Sequence, residues 1–411
     1  MRRRSGSGKR LAGALLVAVA MLSLAATSAQ GRTTVGFWAG EAVPGTNWHR
    51  PGTYWKPRDL RPFTPKVWQT LQRYRIPLYL NLRYRRDFGP VPRGKRRRFD
   101  GLELVREANH LGVPVWGWVL IPYSDGYWAW EGAAKEQFKA VKALHSWSRK
   151  QKLRLRGLVI DPEPPVGTPS ETAAAILGGA GDAVQALFPA TIDPAGQCAA
   201  WRRYARMPIW AKRNGVRLAA APTPAALDDL ADDRLALQDA AQFVLPKAAW
   251  HPLFFQAYRS TFDYHGGYDP GSGIVSSYLR SARAEFGKAG QVTIGSAGRG
   301  KYRRLSRLVH DVRLAATLGA RELPIYSLER TLRAYGGRRA LARLAWAARH
   351  PFRKGKRRKA IASGARAEGL RAAIQSSDAA AAAATPNITM SNGKARPANT
   401  VFSCRKKKRR K

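Results

Sequence analysis

The feature that most constrains this chain is a recurring pattern. Short β-branched or aromatic runs appear at residues 34–39, 76–82, 113–121, 155–161, 216–221, 252–258, 291–295 and 323–328, and a stretch with helical periodicity follows each. Strands separated by helices pair in parallel, because the chain must cross back before it can lay down the next strand. Eight such units are the number that closes into a barrel. The expected fold class is therefore α/β, a (β/α)8 TIM barrel over residues 33–348. The competing arrangement is an open doubly wound sheet. That sheet would carry a phosphate loop after its first strand, but Gly40-Glu41-Ala42-Val43-Pro44-Gly45 lacks the dinucleotide spacing and no Walker A motif occurs.

Local signals mark the helices between the runs. Thr64 stands before Pro65 as an N-cap with proline at the first helical position. Asp100 is the expected cap of the next helix, ending near Gly112. Residues 133–150 place Phe138, Val141, Leu144 and Trp147 at helical spacing. Residues 276–286, 302–318 and 331–348 complete the expected set. Gly112, Gly215 and Gly319 sit where a helix hands over to a strand and needs a left-handed residue.

The two ends differ from this pattern. Arg2, Arg3, Arg4, Lys9 and Arg10 precede an apolar, uncharged run at 11–26, and small residues follow at Ala26-Thr27-Ser28-Ala29. Residues 1–29 thus have the layout of a secretory signal peptide. The run is short for a spanning helix, which needs about 20 residues, although an uncleaved anchor is the alternative. The protein is expected to be secreted or held in the cell envelope. Residues 349–411 carry many lysines and arginines against only Glu368 and Asp378, and contribute strongly to the net charge of +45. With an alanine run and no apolar period, this segment reads as a disordered basic tail able to touch an anionic polymer or membrane surface by charge. It contains no specific nucleic-acid motif. Asn387-Ile388-Thr389 matches a glycosylation sequon. Two cysteines, Cys198 and Cys404, exclude a disulfide framework and a cysteine-ligated metal. No bridge between them is expected, since one lies in the barrel and the other in the tail.

Barrel chemistry gathers at the C-terminal ends of the strands. The fourth run ends Leu158-Val159-Ile160-Asp161-Pro162-Glu163. Alternation puts Gly157, Val159, Asp161 and Glu163 on the inner face, with Leu158 and Ile160 outward under the helices. Two adjacent inward carboxylates are costly to ionise together, so one holds its proton beside a charged neighbour. Glycoside cleavage uses that combination.

This segment resembles the fourth strand of family-18 glycoside hydrolases, the chitinase-like barrels, whose motif runs Asp-Gly-x-Asp-x-Asp-x-Glu. Gly157, Asp161 and Glu163 match it, while Arg156 and Val159 replace its first two acids. The resemblance implies that Glu163 is the general acid and that Asp161 orients the substrate's N-acetyl group. The sixth run, Phe254-Phe255-Gln256-Ala257-Tyr258, resembles the family's strand ending in an apolar or Gln residue, any residue, then Tyr. It implies that Tyr258, with Gln256 on the same face, helps bind that group. The eighth strand departs from the family by lacking its floor Trp, and offers Tyr326, Ser327 and Glu329 instead. Glu163-Pro164 is also similar to the Asn-Glu-Pro motif of other retaining barrels. Those need a carboxylate on the seventh strand, which is absent here, so a second carboxylate would be Glu329, Asp125 or Asp161.

Aromatic side chains cluster near the strand tops at Trp38, Trp48, Trp55, Trp116, Trp118, Tyr123, Tyr127, Trp128 and Trp130. Trp116 and Trp118 read as core, whereas residues 123–130 lie in a loop where packing explains less. The expected catalytic pair is Glu163 and Asp161, with Tyr258, Gln256, Glu329, Trp38, Asp125 and Tyr123 as substrate contacts. The seven histidines do not cluster, and neither a metal nor another cofactor is expected. The expected activity is acid-assisted cleavage of a glycan or cell-wall polysaccharide by a monomer. The alternatives are a non-catalytic glycan-binding barrel and an envelope protein acting through its basic tail.

Overall fold

The computed structural model describes residues 33–40, 62–83, 101–121, 127–165, 194–231, 238, 242–260, 269–353, 371, 388–389 and 395–396. Eight parallel strands close into one barrel in sequence order. They are β1 (Thr34–Ala39), β2 (Leu78–Arg83), β3 (Val115–Leu120), β4 (Gly157–Ile160), β5 (Leu218–Ala220), β6 (Leu253–Gln256), β7 (Gly290–Gly295) and β8 (Glu322–Tyr326). Each lies within a residue or so of the run expected from sequence, trimmed at its ends. Closure is made by β8 against β1, where Thr34 sits opposite Glu322 and Trp38 opposite Tyr326. The expectations at 1–29, Asp100, Trp48, Trp55, Tyr123 and Asp125 lie outside the described residues.

The helices of the described residues are α1 (Pro65–Tyr74), α2 (Leu102–His110), α3 (Ala134–Lys150), α4 (Pro194–Arg213), α5 (Ala225–Ala231), α6 (Gly273–Phe286), α7 (Leu305–Thr317), α8 (Leu328–Ala334) and α9 (Arg338–Arg349). The Thr64 side chain accepts the Val67 N–H at 3.3 Å, as its sequence position implied. Such a cap contributes about 1 kcal/mol. Gly112, Gly215 and Gly319 have φ of 69°, 66° and 82°, the left-handed hand-over expected of them. Two details differ. Gly101, not Asp100, takes the N-cap position of α2, with φ 88° and no side-chain cap bond. The last expected helix is two, because Gly336 and Gly337 adopt φ of 76° and 78° between α8 and α9.

Period-two alternation sorts the strand residues into two cores. Trp38, Tyr79, Trp116, Trp118, Leu120, Val159, Ala219, Ala221 and Phe254 fill the barrel interior. Leu158, Ile160, Phe255, Ile294 and Ile325 point outward and pack with helix residues such as Leu144, Val312 and Leu344. Burying each large aliphatic side chain contributes roughly 1.5–3 kcal/mol. The floor of the barrel is polar. Glu322 pairs with Arg156 and accepts the Tyr79 hydroxyl at 2.9 Å, while Arg217 lies 4.9 Å over the Trp116 ring. Arg156, in place of the first acid of the family-18 motif, therefore serves the end of the barrel opposite the strand tops.

The chain beyond α9 returns to the barrel. The Arg371 guanidinium donates to Asp228 Oδ1 at 2.9 and 2.5 Å and to the hydroxyls of Ser277 and Ser281 at 3.1 and 2.5 Å. It lies 4.7 Å over the Tyr278 ring. Residues Ile388–Thr389 and Ala395–Arg396 pair antiparallel. Cys198 is disulfide-bonded, and the only other cysteine in the sequence is Cys404, which lies outside the described residues. The expectation of two unbridged cysteines is thus overturned. Sequence distance had argued against a bridge, but Arg371 shows that the chain beyond α9 does reach the barrel. Among the described residues, no helix is long and apolar enough to cross a membrane.

Candidate functional site

Just past the end of β4 the chain turns from strand to an extended Asp161-Pro162-Glu163-Pro164-Pro165 segment. The turn is held from both sides. Ala221 N donates to the Ile160 carbonyl at 2.9 Å, and Ala129 N donates to the Asp161 carbonyl at 2.9 Å. The second bond fixes the loop carrying Tyr127 and Trp128 against the carboxylate turn.

Gln256, the last residue of β6, joins the two acids. Its amide nitrogen lies 2.9 Å from Asp161 Oδ1, 2.6 Å from Glu163 Oε1 and 2.8 Å from the Ala221 carbonyl. All three neighbours are acceptors, which establishes that the nitrogen, not the amide oxygen, faces them. Asp161 is 4 % exposed, whereas Glu163 is half-buried. Asp161's carboxyl is held well above the ordinary carboxylate range, first by burial and then by the charge and hydrogen bond of Glu163. The Trp118 and Gln256 N–H groups oppose that shift without cancelling it. The pair is therefore harder to ionise fully than an isolated carboxyl, and Glu163 is its less buried member.

Aromatic side chains surround this pair. Trp38 is 2 % exposed. It meets Trp118 edge-on at 5.0 Å and gives its indole N–H to Thr293 at 2.9 Å, so it packs the barrel interior rather than offering a polar substrate contact. Trp128 stacks on Trp118 at 6.2 Å, and Tyr127 meets Trp128 edge-on at 4.4 Å. Tyr258 lies parallel to Tyr326 at 5.9 Å. A Cβ on Gly295 would lie 3.3 Å from the Tyr258 ring, so this glycine gives the ring room to lean over the end of β7. Trp130 packs against the outer core instead.

Glu329 has a different setting from the one expected. It lies in the first turn of α8, and its Oε1 accepts the Gly40 amide at 2.6 Å. Asn81 gives its amide to the Gly40 carbonyl at 3.2 Å. Gly40 has φ 99°, which only glycine adopts without strain. Glu329 and Asn81 thus clamp the end of β1, on the opposite side of the barrel from β4. Asn81 was not among the expected residues. Its signal was a lone amide at an inward register of the apolar run Leu78-Tyr79-Leu80-Asn81-Leu82.

Asp161, Glu163 and Gln256 are therefore bonded together and Tyr258 and Trp38 line the same end of the barrel, while Glu329 holds a neighbouring loop. Among the described residues no group of His, Cys, Asp and Glu is placed to hold a metal. The arrangement offers a carboxyl pair that resists full ionisation, an amide that holds both carboxyls, and aromatic surfaces above the apolar barrel interior.

No known family model matches the chain, and no curated protein matches it. Solved structures do. A tri-modular GH5 (subfamily 4) endo-β-1,4-glucanase from Bacillus licheniformis is 14 % identical with TM-score 0.43, the match covering 78 % of this chain and 60 % of that one. The chain thus matches less than two thirds of that enzyme's length. The catalytic domain of a family GH18 chitinase from the fern Peteris ryukyuensis is 12 % identical with TM-score 0.41, covering 77 % of this chain and all of that one. An HMG-CoA lyase from Brucella melitensis is 12 % identical with TM-score 0.35, covering 84 % of this chain and all of that one. The barrel itself rests on its own strand pairing.

Proposed function

We propose that this protein is an exported glycoside hydrolase that cleaves a glycan by acid-assisted hydrolysis, with Glu163 as proton donor. The observation that carries the proposal is the Asp161–Glu163 pair, bridged by Gln256 at the C-terminal end of a closed barrel, with the Asp161 carboxyl held above its ordinary range. Asp161 holds its proton in a hydrogen bond to Glu163; that proton passes to Glu163, the less buried acid, which delivers it to the glycosidic oxygen as the bond to the sugar breaks. The negative charge left on the pair then faces the positive charge developing on the sugar ring, and water adds to the anomeric carbon as its proton returns to the pair. Asp161, too buried to reach the leaving oxygen, orients the reacting group with Tyr258. The aromatic faces of Trp128, Tyr127 and Tyr326 suit the apolar faces of sugar rings. The layout of residues 1–29 and the Cys198 disulfide support export to an oxidising compartment.

Release of reducing ends from soluble N-acetylated oligosaccharides by the wild-type protein tests this reading. Saturable binding without release would support the non-catalytic glycan-binding alternative. That alternative is favoured by Val159, which fills the position of a motif acid and is fully buried in the apolar interior. Contact of the basic tail with an anionic wall polymer is a further proposal, supported by its charge alone.

A further inference from the structure

The end of the barrel opposite the carboxylates has its own chemistry, and no part of the glycan reading bears on it. Helices of a parallel barrel run antiparallel to the strands, so their C-terminal ends gather where the strands begin. At that end α9 packs between α1 and α7. Arg349 donates to the Tyr74 carbonyl at 2.8 Å, and Arg313 donates to the His350 carbonyl at 2.8 Å. Neither α1 nor α9 contains an acidic residue, and the single acid of α7, Asp311, is fully buried. Arg73, Arg75, Arg343, Arg349 and Arg353 are all exposed on this side.

Helix C-termini attract basic residues through the helix dipole, which accounts for Arg73 and Arg349. It does not account for Trp346. This side chain is 47 % exposed, and it and Ile209 are the only exposed large apolar residues among those described. It stacks on His350 at 4.4 Å and has Arg313 5.6 Å over its ring. An exposed indole with Arg313 over its ring, on a helix that also exposes Arg343 and Arg349, matches the interface of an anionic bilayer. There the ring sits at headgroup depth and the cations meet phosphates. A linear polyanion would call for a track or groove, whereas these cations spread over the ends of three neighbouring helices.

We propose that this end of the barrel, centred on Trp346, docks on an anionic lipid surface and leaves the carboxylate end facing away from it. The test is co-sedimentation of the full chain with mixed phosphatidylglycerol–phosphatidylcholine vesicles, against pure phosphatidylcholine. The wild type is expected to bind only the mixed vesicles. The triple variant Arg73→Glu, Arg343→Glu, Trp346→Ala should bind at least about tenfold more weakly while its thermal unfolding midpoint is unchanged. Trp346→Phe, which keeps a ring beneath Arg313, supplies the second readout. Quenching of tryptophan emission by brominated phosphatidylcholine in the mixed vesicles should fall in this variant. Undiminished binding of the triple variant would assign attachment to the basic tail and overturn the proposal. So would absence of binding by the wild type, unchanged quenching in Trp346→Phe, or equal retention of wild type and triple variant on soluble polyphosphate with no preference for vesicles.

Discussion

Asp161 concentrates the physical tension of the site. Burial and the neighbouring Glu163 hold its carboxyl well above its ordinary range. In the unfolded chain it ionises as an ordinary aspartate, near 3.8. Between that value and the folded pKa the native state binds more protons than the unfolded state, so this group's contribution to stability falls as pH rises. Asp161→Asn removes the titration and keeps an oxygen for Gln256. The melting temperature of the variant relative to wild type should therefore climb as pH is raised from about 4 toward neutrality. A flat difference across that range would show that Asp161 titrates normally. The carboxylate turn was legible in the sequence because alternation is local. The role of Gln256 was legible only as a shared face with Tyr258. Its bonds to two acids from another strand depend on barrel closure, and the same holds for Asn81 and Glu329 meeting at Gly40.

At the scale of elements, β4 shows how the barrel constrains its own sequence. Leu158 and Ile160 face helices, Val159 fills the interior, and Gly157 sits where nothing larger fits. A Cβ there would collide with the Trp116 ring and lie 2.7 Å from the Arg217 carbonyl of the neighbouring chain segment. Backbone cannot move aside as a flexible side chain can. Gly157→Ala should therefore destabilise the protein by about 1–3 kcal/mol or more, measured by denaturant unfolding. A neutral result would mean that β4 and β5 are more loosely joined than their register indicates. All eight strands could be read in advance, since each is a short apolar run bounded by turn residues. Helix ends were less legible. Gly336-Gly337 looked tolerable within one amphipathic period, and Gly101 took the cap position through its backbone rather than a side chain.

The whole molecule is a closed barrel with chemistry at one end, an arginine-rich surface at the other, and a C-terminal extension fastened back onto its side. Arg371 neutralises the buried Asp228, and Cys198 is held in a disulfide. Constraining the unfolded chain in this way is worth roughly 2–4 kcal/mol. Cys198→Ser should lower unfolding stability by that order, and reductant should destabilise wild type but not the variant. Cysteine spacing could not reveal the bridge, because spacing along the chain says nothing of which segments meet in a closed fold.

The measurement that bears most directly on the site is turnover of one N-acetylated oligosaccharide by wild type and Glu163→Gln, with folding verified by identical circular dichroism. Loss of the proton donor should lower kcat by at least about a hundredfold with KM little changed. Cleavage by Glu163→Gln at the wild-type rate would contradict the assignment of the Asp161–Glu163 pair as the working acid.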